Sequence, residues 1–441
     1  MKGTFFIGLI CRILVWMYRP GLEYPEVAFL FTRPKSSVSF SSNFNQITSF
    51  DRAAFSVKHP PADRLGSSPY VNRDLALPPL AYLLVPHDER LLFVFGTAVD
   101  LLNTWLLALL VRKFQRHRQG YLLDLFTQRN PWQVALGAYW ANAFMFGATA
   151  CYDMHLHHTL VLAVLATAAS GKHSGSIGAG LGVLLYLESL PALIWIAPCA
   201  VLLSLPAVAP TEPVAWSQFA KNGARTVVIA TQAATMLMGL LLSSVFVLRE
   251  AYGVQGSLAQ LLLHFAEPCY GSLLSGTTFR PTLSASTYVL QLMFARYTAL
   301  YWCTLTLIPF LSLGAALVCH SNSPGLILPS VAVLSFMGMH DASVSDVAFV
   351  YCVVSLYDGI SRQIWFDQLY MVTCIGVVLF ATVVNLWLAR DTGNANFVFF
   401  QFLTIVVPVC RLRVRCHTDL LGLKFEQTVM ERLYYSHEKS S

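Results

Sequence analysis

Charge is what this sequence has least of. Asp, Glu, Lys and Arg make up 12% of its 441 residues, about half the roughly 25% of soluble domains. Basic and acidic residues number 29 and 23, a formal net charge of +6, and no nucleic-acid-binding patch is visible. A soluble globular domain is excluded on the same ground. Motifs of known chemistry are missing as well. The chain has no Gly-x-Ser-x-Gly, no His-Glu-x-x-His and no phosphate-cradling Gly-x-x-x-x-Gly-Lys loop. It has no Asp-x-Asp, and none of its ten cysteines forms a Cys-x-x-Cys pair. Most of them (Cys11, Cys199, Cys303, Cys319, Cys352, Cys374) lie inside apolar runs, which marks small buried hydrophobes rather than a disulfide or zinc framework.

Apolar runs of membrane length fill the rest. They fall near 5–18, 91–111, 133–151, 157–169, 176–190, 191–208, 226–248, 296–319, 324–339, 346–360, 364–389 and 397–410. At about 20 residues per crossing they predict an all-α polytopic membrane protein with roughly ten to twelve spans. The first run lacks a small-residue cleavage site and carries Trp16 and Tyr18 at its end, as an uncleaved span does. Several runs are broken by proline, at Pro78-Pro79, Pro191, Pro198 and Pro206; such breaks survive only where protein or a wet cavity covers the freed backbone. Gly178 and Gly182 stand four apart in a Gly/Ser-rich stretch, the spacing of close helix contact.

Basic clusters set the orientation. Arg112, Lys113, Arg116 and Arg118 place a loop at about 112–132 in the cytoplasm, and Arg411, Arg413 and Arg415 place the tail at about 411–441 there too. Loops at about 19–90 and 249–290 then face the opposite side. Residues 1–441 form one polytopic membrane domain by this reading.

Three groups of polar residues stand out. Asp153, His155, His157 and His158 are the most metal-like, but on a helix Asp153/His157 and His155/His158 lie on different faces, so the four do not meet one ion; no metal site is expected. Asp100 with Asn103, Glu188 and Asp346 are ionisable groups within or beside apolar runs, where such groups serve as interhelical glue or line a ligand path. Asn394 and Asn396, followed by Phe397, open the last apolar run. Their neutral amides can cap the helix or hydrogen-bond a polar lipid headgroup, and they cannot act as acid, base or nucleophile.

The order of short motifs carries a resemblance. These are Ser68-Pro69-Tyr70, Leu77-Pro78-Pro79-Leu80-Ala81-Tyr82-Leu83, Asp100-Leu101-Leu102, Asn142, His157-His158-Thr159-Leu160, Tyr270-Gly271-Ser272-Leu273-Leu274-Ser275, Pro281, Tyr288, Phe294, Ser345-Asp346-Val347-Ala348 and Asn394-Ala395-Asn396-Phe397. In that order, over about 45–410, the chain resembles the PIG-U family, polytopic subunits of the glycosylphosphatidylinositol (GPI) transamidase complex. The resemblance implies an architecture like that of the GT-C glycosyltransferases without their catalytic acid. It also implies an endoplasmic reticulum location, no cofactor, and a non-catalytic role in presenting the GPI lipid. Its implied partners are a caspase-like cysteine protease subunit, lumenal scaffold subunits and an aminopeptidase-like membrane subunit. Asn394, Asn396 and Phe397 match the family's headgroup-contacting motif. The chain departs from the family pattern at His157-His158-Thr159, where members tend to carry Asn-Asn-Thr, at Phe294-Ala295-Arg296-Tyr297, and at Asp341-Ala342-Ser343.

Two other functions compete. A GPI-pathway mannosyltransferase using dolichol-phosphate-mannose needs an acidic pair in the first lumenal loop, and the loop's Glu23, Glu26, Asp51, Asp63 and Asp74 provide no Asp-x-Asp. A secondary transporter would use the broken helices and buried acids, but no internal repeat is visible.

Overall fold

The computed structural model describes residues 2–17, 78–84, 89–116, 127–150, 156–170, 173–187, most of 196–204, 216–266, 269–270, 343–357 and 366–388, with Leu300 and Leu307. Within these residues the regular structure is entirely helical. In chain order it comprises α1 (Lys2–Met17), α2 (Pro79–Leu84), α3 (Glu89–Arg116), α4 (Pro131–Ala135), a π-helical turn (Leu136–Trp140), α5 (Ala143–Ala150), α6 (Leu156–Ala169), α7 (Ser174–Leu187), α8 (Trp216–Tyr252), α9 (Leu258–Ala266), α10 (Val344–Val354) and α11 (Phe366–Leu388). Two stretches, Arg90–Gln115 and Lys221–Glu250, are long and apolar enough to cross a bilayer. The apolar runs near 296–319, 324–339 and 397–410, with Asn394, Asn396 and Phe397, lie outside the described residues.

Helix ends follow the local chemistry. Pro79 starts α2 and Pro131 starts α4, because a first-turn N–H needs no helical partner and proline has none. Asn130 caps α4, its Oδ1 accepting the Trp132 N–H at 3.0 Å, and Asn142 caps α5 by accepting from the Phe144 N–H at 3.0 Å. The apolar run near 133–151 is therefore three short pieces rather than one span. The segment between the two caps closes through an Ala141 N–H to Leu136 O bond of 2.8 Å, the five-residue reach that defines a π turn. The expected loop at 249–290 contains a short amphipathic helix, α9, which buries Leu261 and Phe265.

Lipid tails are as apolar as leucine, so spans in a bilayer gain little from burying hydrophobic surface against one another. Close packing and interhelical hydrogen bonds hold them together. Helices α7 and α8 pack most extensively, and glycine is the reason. A Cβ on Gly178 would lie 2.5 Å from the Ile229 carbonyl oxygen and 2.7 Å from Gln232 Cβ. One on Gly182 would lie 2.7 Å from both the Ala233 carbonyl oxygen and Met236 Cβ. The four-residue spacing thus sets two backbones in direct contact, as the sequence predicted. By contrast α8 turns Val227, Val228, Met238, Leu242 and Phe246 outward. Helix α10 is buried on every side; it sits at the centre of the main core, against α5 and the π turn.

Replacing Gly178 or Gly182 by leucine is expected to cost about 1–3 kcal/mol or more by overpacking, read as a lower melting temperature of the purified protein in detergent. Gly223→Ala, where a Cβ meets nothing within 4 Å, is expected to leave the melting temperature unchanged or slightly raised. Equal melting for all three variants would contradict the backbone contact.

Candidate functional site

Among the described residues, many of the buried polar groups gather into three hubs. The first is an ion pair with no access to solvent: Arg12 and Asp100 are both 0% exposed. Arg12 Nε and Nη2 donate to Asp100 Oδ2 at 3.2 and 3.0 Å. Its Nη1 donates to the Trp140 carbonyl at 2.6 Å. The guanidinium carbon lies 3.9 Å from the Trp140 ring centroid and 4.8 Å from that of Phe146, within cation–π reach. Thr149 Oγ1 stands 2.6 Å from Asp100 Oδ2 and 2.8 Å from the Met145 carbonyl. A hydroxyl has one proton, and the closer, charged acceptor takes it. Helix α1 is locked to the π turn by two further contacts. The Trp140 indole N–H donates to the Phe5 carbonyl at 3.0 Å, and the Phe5 and Trp140 rings stack at 5.3 Å. Gly8 lies against the same indole, with no room for a Cβ.

A second hub begins one helical turn further along α3. Asn103 Nδ2 donates to Tyr139 Oη at 2.8 Å, and Tyr139 Oη lies 3.1 Å from His158 Nδ1. Across the rings, His157 Nε2 lies 3.1 Å and His158 Nε2 3.6 Å from Asp346 Oδ1. The other carboxylate oxygen, Oδ2, accepts from the Ser343 N–H at 2.8 Å and from the Ser343 hydroxyl at 2.9 Å. Asp346 is thus the third residue of a capping box at the start of α10, where its charge also suits the helix dipole. The His158 ring stacks on Phe349 at 4.3 Å.

The third hub is Tyr186. Its hydroxyl receives the Leu80 N–H at 3.2 Å and sits 2.5 Å from Ser244 Oγ, while Tyr270 Oη donates to the Tyr186 carbonyl at 2.6 Å. Residues of the Leu77–Leu83 and Tyr270–Ser275 motifs thus meet on one residue of α7, one at its hydroxyl and the other at its carbonyl. Asn142, also among the motif residues, accepts from Tyr370 Oη at 2.9 Å besides capping α5.

These positions settle several expectations. Asp100 acts as glue between helices, through Arg12, a residue that sequence reasoning passed over. The signal was present: Arg12 is a lone charge inside Gly8-Leu9-Ile10-Cys11-Arg12-Ile13-Leu14. Asp346 sits at a helix start rather than in mid-span. Of the four metal-like residues, Asp153 and His155 lie outside the described residues. His157 and His158 converge instead on Asp346, 189 and 188 positions away along the chain; a face count on one helix cannot reveal a ligand carried by another. Glu188 lies outside the described residues, as do Asn394, Asn396 and Phe397.

Apolar helices of membrane length, joined by buried polar ties, define a helical membrane protein. The family model of PIG-U, the GPI transamidase subunit, matches residues 29–405, so the chain belongs to that family and is a subunit of the GPI transamidase complex. That family implies the endoplasmic reticulum membrane. Among curated proteins, no match is found.

Removing one partner of the buried pair leaves an uncompensated charge, which costs about 3–5 kcal/mol. Arg12→Leu alone is expected to abolish or sharply reduce recovery of folded protein, whereas Arg12→Leu with Asp100→Leu restores much of it. Yield and melting temperature after detergent purification measure both. A double variant no better than the single would disprove the pairing.

Proposed function

We propose that this chain is the non-catalytic subunit that binds the GPI lipid and presents it for attachment to preprotein C-termini. The family match carries this reading: its matched span, residues 29–405, includes Asn394, Asn396 and Phe397. Two neutral amides at the rim of a span suit a headgroup of sugar hydroxyls and phosphate, since they donate and accept without a fixed charge. Phe397 would lie at the start of the acyl region. The chemistry would then belong to the caspase-like cysteine protease subunit, with lumenal scaffold subunits and the aminopeptidase-like membrane subunit as further partners. The full chain would be one multi-pass domain of roughly ten to twelve spans, GT-C-like. Its lumenal loops would lie at about 19–90 and 249–290, with the loop at about 112–132 and the tail at about 411–441 in the cytoplasm.

The described polar groups favour this reading over a transporter. Asp100 is paired with Arg12 and accepts a hydrogen bond from Thr149 inside the bundle, and Asp346 is engaged by Ser343 and His157. Both are tied to neighbouring side chains that fix one helix against another. A mannosyltransferase is disfavoured by the missing Asp-x-Asp.

Asn394→Ala combined with Asn396→Ala is expected to lower GPI attachment in complemented null cells, with the complex still recovered intact. Complete GPI precursors are expected to accumulate. Attachment equal to wild type would remove the amide pair from the site; accumulation of truncated precursors would point to a mannosyltransferase instead.

A further inference from the structure

The geometry points to a binding site for one divalent transition-metal cation of the zinc class, held by His157 and His158 of α6 and Asp346 of α10. All three side chains are buried, and one ligand atom from each lies within 4.8 Å of the other two. The donor set is two imidazoles and a carboxylate, which suits borderline cations such as zinc(II) and leaves a fourth position open. Ligand atoms around a tetrahedral zinc stand roughly 3.3 Å apart, given metal–ligand bonds of about 2.0–2.1 Å. The Nε2-to-Oδ1 separations of 3.1 and 3.6 Å bracket that value.

A shared proton accounts less well for this arrangement. A proton between His157 and Asp346 explains the 3.1 Å contact. His158 turns its Nε2 to the same oxygen at 3.6 Å, longer than a hydrogen bond, and the two rings are tilted at 53° with centroids 3.9 Å apart. A cation between the three atoms would take both imidazole nitrogens and the one carboxylate oxygen as ligands. The surroundings are also those of a metal site. Tyr139 Oη lies at 3.1 Å from His158 Nδ1, so an Nδ1–H donated to Tyr139 frees the Nε2 lone pair for the ion, as outer partners of metal-bound histidines commonly do. Ser343 holds Oδ2 through two hydrogen bonds, which leaves Oδ1 facing the histidines. Such an ion would clamp α6 to α10 and play no part in chemistry.

The test is metal content, which is independent of lipid attachment. The whole complex is purified through a tag on this chain, stripped with chelator, then equilibrated with zinc(II) and washed. Wild type is expected to hold one more zinc per complex than His157→Asn/His158→Asn, measured by elemental mass spectrometry against protein concentration. The asparagines keep hydrogen-bonding amides but are poor ligands. Should that variant fail to assemble, Asp346→Asn, nearly unchanged in shape, gives the same reading. Zinc should also raise the melting temperature of the stripped wild type and not that of the variants. Equal zinc content in wild type and an assembled variant would overturn the assignment.

Discussion

Asp100 has no water to turn to, and much of the bundle is arranged around that fact. A carboxylate sealed among apolar helices is expensive unless a cation and donors surround it. The cation comes from α1, the neutral donor from α5, and the carboxylate itself from α3. Arg12 then needs acceptors for its remaining N–H groups and finds the Trp140 carbonyl. Four elements, α1, α3, the π turn and α5, are therefore fixed by one charge. Alternative packings of the same apolar helices would be nearly equal in energy in lipid; the unpaired charge they would create is what separates them from this one.

The π turn makes the arrangement possible. Tyr139 and Trp140 are its last two residues, one serving each hub. Tyr139 connects Asn103 to His158, and Trp140 carries the guanidinium on its ring and its carbonyl. Asp100 and Asn103 lie three residues apart on α3, so they share a face of that helix. The two hubs are in effect two storeys of one polar column through the bundle. Individual interhelical hydrogen bonds in membranes average only about 0.6 kcal/mol. The weight of the column lies in the penalty for breaking it, a buried charge left alone, more than in the sum of its contacts.

The sequence made much of the helical layout legible, because hydropathy reports where a backbone can lie in lipid. The apolar runs near 5–18, 91–111, 157–169, 176–190, 226–248 and 364–389 reappear as α1, α3, α6, α7, α8 and α11. Gly178 and Gly182 were equally readable, since a small residue every fourth position has one dominant structural use. The break at 136–140 was not readable: a π turn depends on a single displaced hydrogen bond and leaves no apolar period behind it. Partnerships were also hidden. Arg12 and Asp100 are 88 residues apart, and His157 and Asp346 are 189 apart. Charge alone marked each of them as costly, but pairing is a property of packing. For the amide pair at Asn394 and Asn396, the motif itself is legible, while its surroundings fall outside the described residues.

The location of the polar column bears on how a lipid-presenting subunit would work. Recognition of a headgroup at a membrane rim gains most from a contact surface that is already ordered, because ordering side chains on binding subtracts from affinity. Asp100, Asn103, Tyr139, His157, His158 and Asp346 all spend hydrogen-bonding capacity on fixing one helix against another. Groups committed in this way are poor candidates for acid–base work, which requires a proton to leave or arrive. Neutral amides at a span opening have the opposite character: they recognise oxygen atoms and change neither charge nor protonation. A chain that uses its charges for internal architecture and keeps uncharged groups for the lipid would suit holding a substrate whose bond is made elsewhere in the complex.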